Sequence, residues 1–213
     1  MTIKIRQETL ADYRRVEELA REAFWNLYFP GCHEHFVIHR LRSHTDFIPE
    51  LTFVLEVDGV VQGAIFYSRS SITAPDGVQY PTITFGPVFI APQLHRQGLG
   101  RALITHSIQK AKEQGHRAIL TLGYPYHYEP YGFCGGKRYG ISMPDLQYYK
   151  GLLVLPLFAG ALDGISGYVR FSEVLEEVPE QEAEDFDAGF PKKEKAFQPS
   201  QLEYEQAAAQ LDV

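Results

Sequence analysis

The run Val88-Phe89-Ile90-Ala91-Pro92-Gln93-Leu94-His95-Arg96-Gln97-Gly98-Leu99-Gly100-Arg101-Ala102-Leu103 reads as an apolar strand, a tight turn and the first turn of a helix. Glycines at 98 and 100 permit tight backbone geometry and remove the Cβ atoms that would hold a ligand away. Unpaired N–H groups at a helix start point outward and act together with the helix dipole, so this turn is an anion site, and phosphate suits it. Arg96 and Arg101 are placed to neutralise phosphate locally, and both also fit as solvated turn or helix charges. Two other glycine-turn chemistries fit less well. A dinucleotide fingerprint needs a third glycine and an acidic residue about twenty positions on, where this chain has Leu103 and Leu120-Thr121. A P-loop ends in Gly-Lys-Ser/Thr, which is absent.

Two further groups carry chemistry. Tyr124, Tyr126, Tyr128 and Tyr131 cluster in a Tyr-, Gly- and Pro-rich segment that runs to Gly140. Cys32, His33, His35, His39 and His44 invite a zinc reading, since His35 and His39 share a helix face, but the tight pair-and-pair spacing of a zinc site is missing. Neither Cys32 nor Cys134 sits in a C-x-x-C, and both read as packing thiols.

The elements that position these groups follow from periodicity. Thr2 to Gln7 alternates as a strand, and Leu10, Tyr13, Val16, Leu19, Ala20 and Ala23 form one helical face. Residues 24–34 are an aromatic loop broken by Pro30-Gly31, followed by a helix over 35–43. Leu51–Val57 and Val60–Arg69 are strands joined by Asp58-Gly59, and a second Asp-Gly precedes the strand Tyr80–Ile90, giving three consecutive antiparallel strands. A helix over Gly98–Glu113, a buried strand over Arg117–Leu122 and an apolar strand over Leu152–Phe158 complete the body.

Three antiparallel strands, then R-x-G-x-G-x-A at a helix start, then a strand and a Tyr-rich turn resembles the GNAT superfamily of N-acetyltransferases. The likeness runs from about Thr2 to Ser172. It is nearest the branch with Gly86-Pro87 before the acyl-binding strand and Tyr128-Glu129-Pro130-Tyr131-Gly132-Phe133 near the active site, and Ala161 to Gly167 resembles that branch's C-terminal strand region. His95, Arg96 and Gln97 depart from the family's usual Q/R-x-x-G-x-G/A turn. The resemblance implies an α/β (α+β) fold: a mixed, mostly antiparallel sheet with a splayed parallel strand pair and flanking helices. It also implies acetyl-CoA as acyl donor, its pantetheine and acetyl carbonyl meeting backbone groups of Val88, Phe89 and Ile90, and its pyrophosphate meeting amides of Arg96, Gln97, Gly98, Leu99, Gly100 and Arg101. Acetyl would pass directly to an amine of a small molecule or a protein. Tyr128 takes the position of the family's acid, with Tyr131 as the fallback. No Asp or Glu lies in residues 80–92, so a base carried on that strand is excluded; His127, Glu129, Glu34, His33, His35 and a water relay remain. Phe24, Trp25, Tyr28 and Phe29 beside Glu34 and His35 make a wall for an amine on a partly apolar molecule or a peptide, or simply pack the core. A catalytically degenerate acyl-CoA-binding module is the alternative from another functional class.

Charge and composition fit one such domain. The formal charge of −7 is concentrated late in the chain: residues 173–187 hold eight acids and no Lys or Arg, leaving about +2 on residues 1–172. A near-neutral body argues against a dense duplex interface. With 45% hydrophobic residues but no apolar stretch of membrane-spanning length and no secretion signal, a cytoplasmic protein without membrane or nucleic-acid partners is expected. Residues 1–175 form the expected catalytic domain, and 176–213 an acidic tail, partly helical or disordered.

Overall fold

The computed structural model describes residues 1–213. In chain order the elements are β1 (Ile3–Gln7), α1 (Tyr13–Phe24), α2 (Glu34–Leu41), β2 (Phe53–Val57), β3 (Val60–Thr73), β4 (Gln79–Ile90), α3 (Leu99–Glu113), β5 (Ala118–Leu122), the single-turn α4 (Pro125–Tyr128), β6 (Cys134–Gly135), β7 (Ile141–Ser142), β8 (Leu152–Pro156), β9 (Gly167–Arg170), α5 (Glu173–Glu176), α6 (Glu180–Asp187) and α7 (Pro199–Ala208). The main path through the sheet is β1-β2-β3-β4-β5-β8-β6, mostly antiparallel with β4 and β5 parallel. Ala161 to Ser166 is turn, and the strand begins only at Gly167.

Alternation along the strands sorts side chains to two faces. Phe53, Leu55, Ile65, Tyr67, Ile83 and Phe85 face α3, whose Leu103 and Ile108 complete one core. Val54, Ala64, Phe66 and Phe89 face Val16 and Leu19 of α1 and Ile38 and Leu41 of α2 in a second. The helices thus cover both sides of β2–β4. No helix is long and apolar enough to cross a membrane.

The parallel pair is short. β4 and β5 are in register only at Ile83–Ile119 and Thr84–Leu120. Beyond them β4 remains bonded to β3 alone, through Ile65–Val88, Ala64–Phe89 and Gly63–Ile90, after a bulge in which Phe66 faces both Gly86 and Pro87.

Residues 176–213, expected as a solvated or partly helical tail, lie against the body in the structure. Ala183, Phe190 and Gln201 are buried, and Asp187 pairs with Arg21 of α1 through two bonds of 2.5 and 3.1 Å. The acid count concealed this docking, because a few apolar side chains on one helix face suffice for it.

α2 is locked to the body by a buried ion network. Arg42 reaches Glu8 at 2.7 Å and Glu17 at 2.6 Å and stacks 3.8 Å over the ring of Tyr13; the Arg42, Glu8 and Glu17 side chains are 4%, 3% and 8% exposed. Removing the cation leaves two buried carboxylates uncompensated. Arg42→Met is expected to lower unfolding free energy by about 3–5 kcal/mol, read from urea denaturation.

Candidate acyl-donor and acceptor site

Where β4 and β5 part, the sheet opens as a V. Thr121 Oγ1 donates to the Phe85 carbonyl at 3.2 Å, so a side chain makes the last link between the arms. Past it, Val88, Phe89 and Ile90 present the edge of β4 that β5 has left. The Ile90 carbonyl is the exception, since it accepts a bond from His95 Nε2 at 2.9 Å. The residue that departs from the usual turn pattern therefore ties the strand end to the turn.

The turn itself runs through Pro92–Leu94, Arg96 at φ +62° and Gly98 at φ +80°, with Gly98 capping α3. Only Gly98 is conformationally demanded, because a side chain at that φ is strained while its surroundings are open. The first amide of the helix with an acceptor is that of Ala102, bonded to the Gly98 carbonyl at 3.0 Å. The amides of Arg96, Gln97, Gly98, Leu99, Gly100 and Arg101 have no acceptor within the chain. Six successive free donors at the start of a 15-residue helix can hold a pyrophosphate.

Tyr128 lies at the apex of the V. Its ring packs against Phe85 at 5.4 Å and Phe133 at 5.8 Å between centroids, and against the backbone of Gly123, where a Cβ would come within 2.5 Å of Cε2. Its hydroxyl has no partner in the chain, and burial pushes the phenol up to about 12, so it is a hydrogen-bond donor at neutral pH. Tyr131 packs against the same core, near enough to Tyr128 to act on its titration and to Arg101 to feel that charge.

The base candidates separate clearly. His35 is fully buried, 3.0 Å from the Asp187 carboxylate and between the rings of Phe186 and Phe190, and burial lowers it to about 4. His33 packs tilted against Phe29, centroids 4.7 Å apart, and His127 against Tyr126 at 4.3 Å; burial lowers both. Glu129 is exposed. Glu34, in the first turn of α2, accepts the His33 amide at 3.1 Å and has no cationic partner, and burial raises its carboxyl to about 7. Its charge is felt at Tyr28 and at Tyr204 of α7, and Tyr28 in turn lies near Tyr124 and Tyr128. The histidines of the zinc reading diverge, His39 to Glu17 and His44 to Glu173 and Asp46. Of the expected aromatic wall, Phe24 packs inward on Phe89 and Trp25 bonds the Glu194 carbonyl, leaving Tyr28 and Phe29 to line a hollow with Phe197, Leu202 and Tyr204.

A family model described as Acetyltransferase (GNAT) family matches residues 17–128, more than half of the chain. The chain belongs to the GNAT acetyltransferase family. Among curated proteins, the uncharacterised N-acetyltransferase YhbS of Escherichia coli strain K12 is 25% identical over 169 residues, covering 79% of this chain and 96% of YhbS. The crystal structure of Escherichia coli YhbS in complex with CoA superposes with a TM-score of 0.73 at 24% identity, over 83% of this chain and 93% of that one. A GNAT family acetyltransferase from Brucella melitensis, solved with acetyl-CoA, gives 0.65 at 22% identity over 82% and 98%. The GNAT fold is therefore shown, including its open β4–β5 pair.

Sequence reasoning missed Gly123 and Thr121. Neither belongs to a motif, and only the approach of the Tyr128 ring and the Phe85 carbonyl reveals them. Gly123→Ala is expected to displace the Tyr128 ring while leaving acetyl-CoA affinity within about threefold by calorimetry. Gly98→Val strains the turn itself and is expected to weaken that affinity by at least about tenfold.

Proposed function

We propose that the protein is an acetyl-CoA-dependent N-acetyltransferase that passes acetyl directly to an amine while both substrates are bound. The observation that carries this reading is the run of six free amides at the start of α3 beside the unpaired edge of β4. The complexes of the YhbS and Brucella proteins with CoA and acetyl-CoA support the same donor. Acetyl-CoA brings a thioester, an acyl group already activated for attack. The amides of Arg96, Gln97, Gly98, Leu99, Gly100 and Arg101 hold its pyrophosphate, with Arg96 and Arg101 adding charge. Backbone groups of Val88, Phe89 and Ile90 align the pantetheine arm and polarise the acetyl carbonyl as negative charge develops on it.

The amine nitrogen attacks the thioester carbon, the C–S bond breaks, and one N–H proton must leave. Glu34 accepts that proton: a carboxylate near 7 is half-ionised at neutral pH and matched to the task. Tyr128 meets the departing sulfur. A phenol near 12 facing a thiol near 8.5 would lose about 5 kcal/mol by full proton transfer, so Tyr128 stabilises the thiolate as a hydrogen-bond donor and the thiolate is protonated from solvent.

Tyr128→Phe is expected to lower kcat by about ten- to a hundredfold with acetyl-CoA affinity unchanged. Glu34→Gln is expected to lower kcat by about a hundredfold and to remove the limb of the kcat/KM profile that rises through pH 7. The stability effect has the opposite sign. A carboxyl raised on folding costs stability as pH climbs from its unfolded value near 4.5 to about 7, and the cost persists above that. Glu34→Gln should therefore unfold at higher urea than the parent at pH 8, and a variant that lost activity by unfolding would not. Full turnover by both variants would remove the proposed chemistry.

A further inference from the structure

The segment after α6 runs across the acceptor side of the V. At one end it is bonded to the loop between α1 and α2: Trp25 Nε1 and Asn26 Nδ2 donate to the Glu194 carbonyl at 2.9 and 3.1 Å, the Ala196 amide donates to Asn26 Oδ1 at 3.1 Å, and Gln201 Nε2 donates to the Asn26 carbonyl at 3.0 Å. At the other end the Lys150 amide donates to the Gln210 carbonyl at 2.9 Å and the Asp212 amide to the Tyr148 carbonyl at 2.7 Å. The two anchor points belong to different arms. Phe24 packs on Phe89 of β4, whereas Gly151 accepts the amide of Gly123, just past β5. Between the anchors, α7 sets Tyr204 against Tyr28, ring centroids 4.3 Å apart, where both feel the Glu34 charge and lie near Tyr124.

From this arrangement we infer that residues 194–212 are a strap that closes the rim of the acceptor site, so that the acceptor is a small primary amine on an apolar or aromatic body rather than a polypeptide. The inference rests on the acetyltransferase reading above. A polypeptide acceptor needs an open groove between the arms, and here the two loops that would border it are tied together. The hollow beside the strap is lined by Tyr28, Phe29, Phe197, Leu202 and Tyr204, and the one charged side chain on it is Glu205, a lining suited to an ammonium ion carried on an apolar group. Tyr204 is then a specificity-determining residue supplied from about 170 residues beyond Glu34.

The test measures thiol release from acetyl-CoA by the full chain with phenethylamine, tyramine and spermidine, and with lysine-containing and free-N-terminal peptides of about fifteen residues. Turnover of the arylalkylamines, with peptide kcat/KM at least a hundredfold lower, is expected. Tyr204→Ala should raise the arylalkylamine KM at least tenfold with kcat within threefold, while Tyr204→Phe restores it. Calorimetry with acetyl-CoA checks that each variant keeps its donor site. Peptides used as well as the amines, or a Tyr204→Ala KM equal to the parent's, overturns the inference while leaving the acetyltransferase reading intact. Acetyl-CoA binding without turnover of any amine also overturns the inference. Absence of acetyl-CoA binding by the parent overturns both.

Discussion

The site depends on β4 parting from β5 after only two paired positions. A parallel pair would ordinarily continue its ladder, because a strand edge withdrawn from both partner and water carries unmet donors and acceptors. Three features stop it here. Pro87 supplies no N–H, the bulge opposite Phe66 turns the strand, and Thr121 uses its hydroxyl to satisfy the Phe85 carbonyl where a backbone amide would otherwise stand. Tyr128 then fills the apex against Gly123. The free edge of β4, the turn at its end and the Tyr128 hydroxyl are therefore consequences of one separation.

The electrostatics follow the same geometry. No Asp or Glu lies between Asp76 and Glu113, while Arg96, Arg101, Lys110 and Lys112 do. The free amides thus face no competing carboxylate from their own stretch of chain. The acids of α6 are used on the opposite face of the sheet, where Asp187 meets Arg21 and Glu184 meets Lys195 at 3.1 Å. Burial works to raise the Asp187 carboxyl, but Arg21 and His35 together hold it below the usual range. A net charge of −7 is thereby compatible with binding a polyanion, because attraction at a helix start decays within about 10 Å.

Much of this is legible in the sequence where local chemistry dictates structure. Asp58-Gly59 and Asp76-Gly77 announce the β2–β3–β4 meander, and the spacing of Gly98 and Gly100 after an apolar strand announces the turn. What stays hidden depends on contacts distant in the chain. Gly63 looks like any strand glycine, yet a Cβ there would press within 2.7 Å of the Phe89 carbonyl. Glu34 is one of five side chains that could serve as base, and nothing near it in sequence distinguishes it. Its charge is felt at Tyr28 and at Tyr204, the latter about 170 residues further along the chain.

Glu34 also shows why the tail and the site belong together. A carboxylate without a cation, close enough to Tyr28 and Tyr204 for its charge to be felt there, is destabilising above its shifted titration point, because its desolvation is not compensated. Packing alone would favour an apolar residue at the start of α2, or a lysine beside the carboxylate. The ion network of Arg42, Glu8 and Glu17 anchors the helix from its other end. A carboxyl held above its ordinary range in this way is what a proton-accepting group near neutral pH requires. A cation paired with Glu34 in the resting protein would lower its titration point and occupy the place of the incoming ammonium.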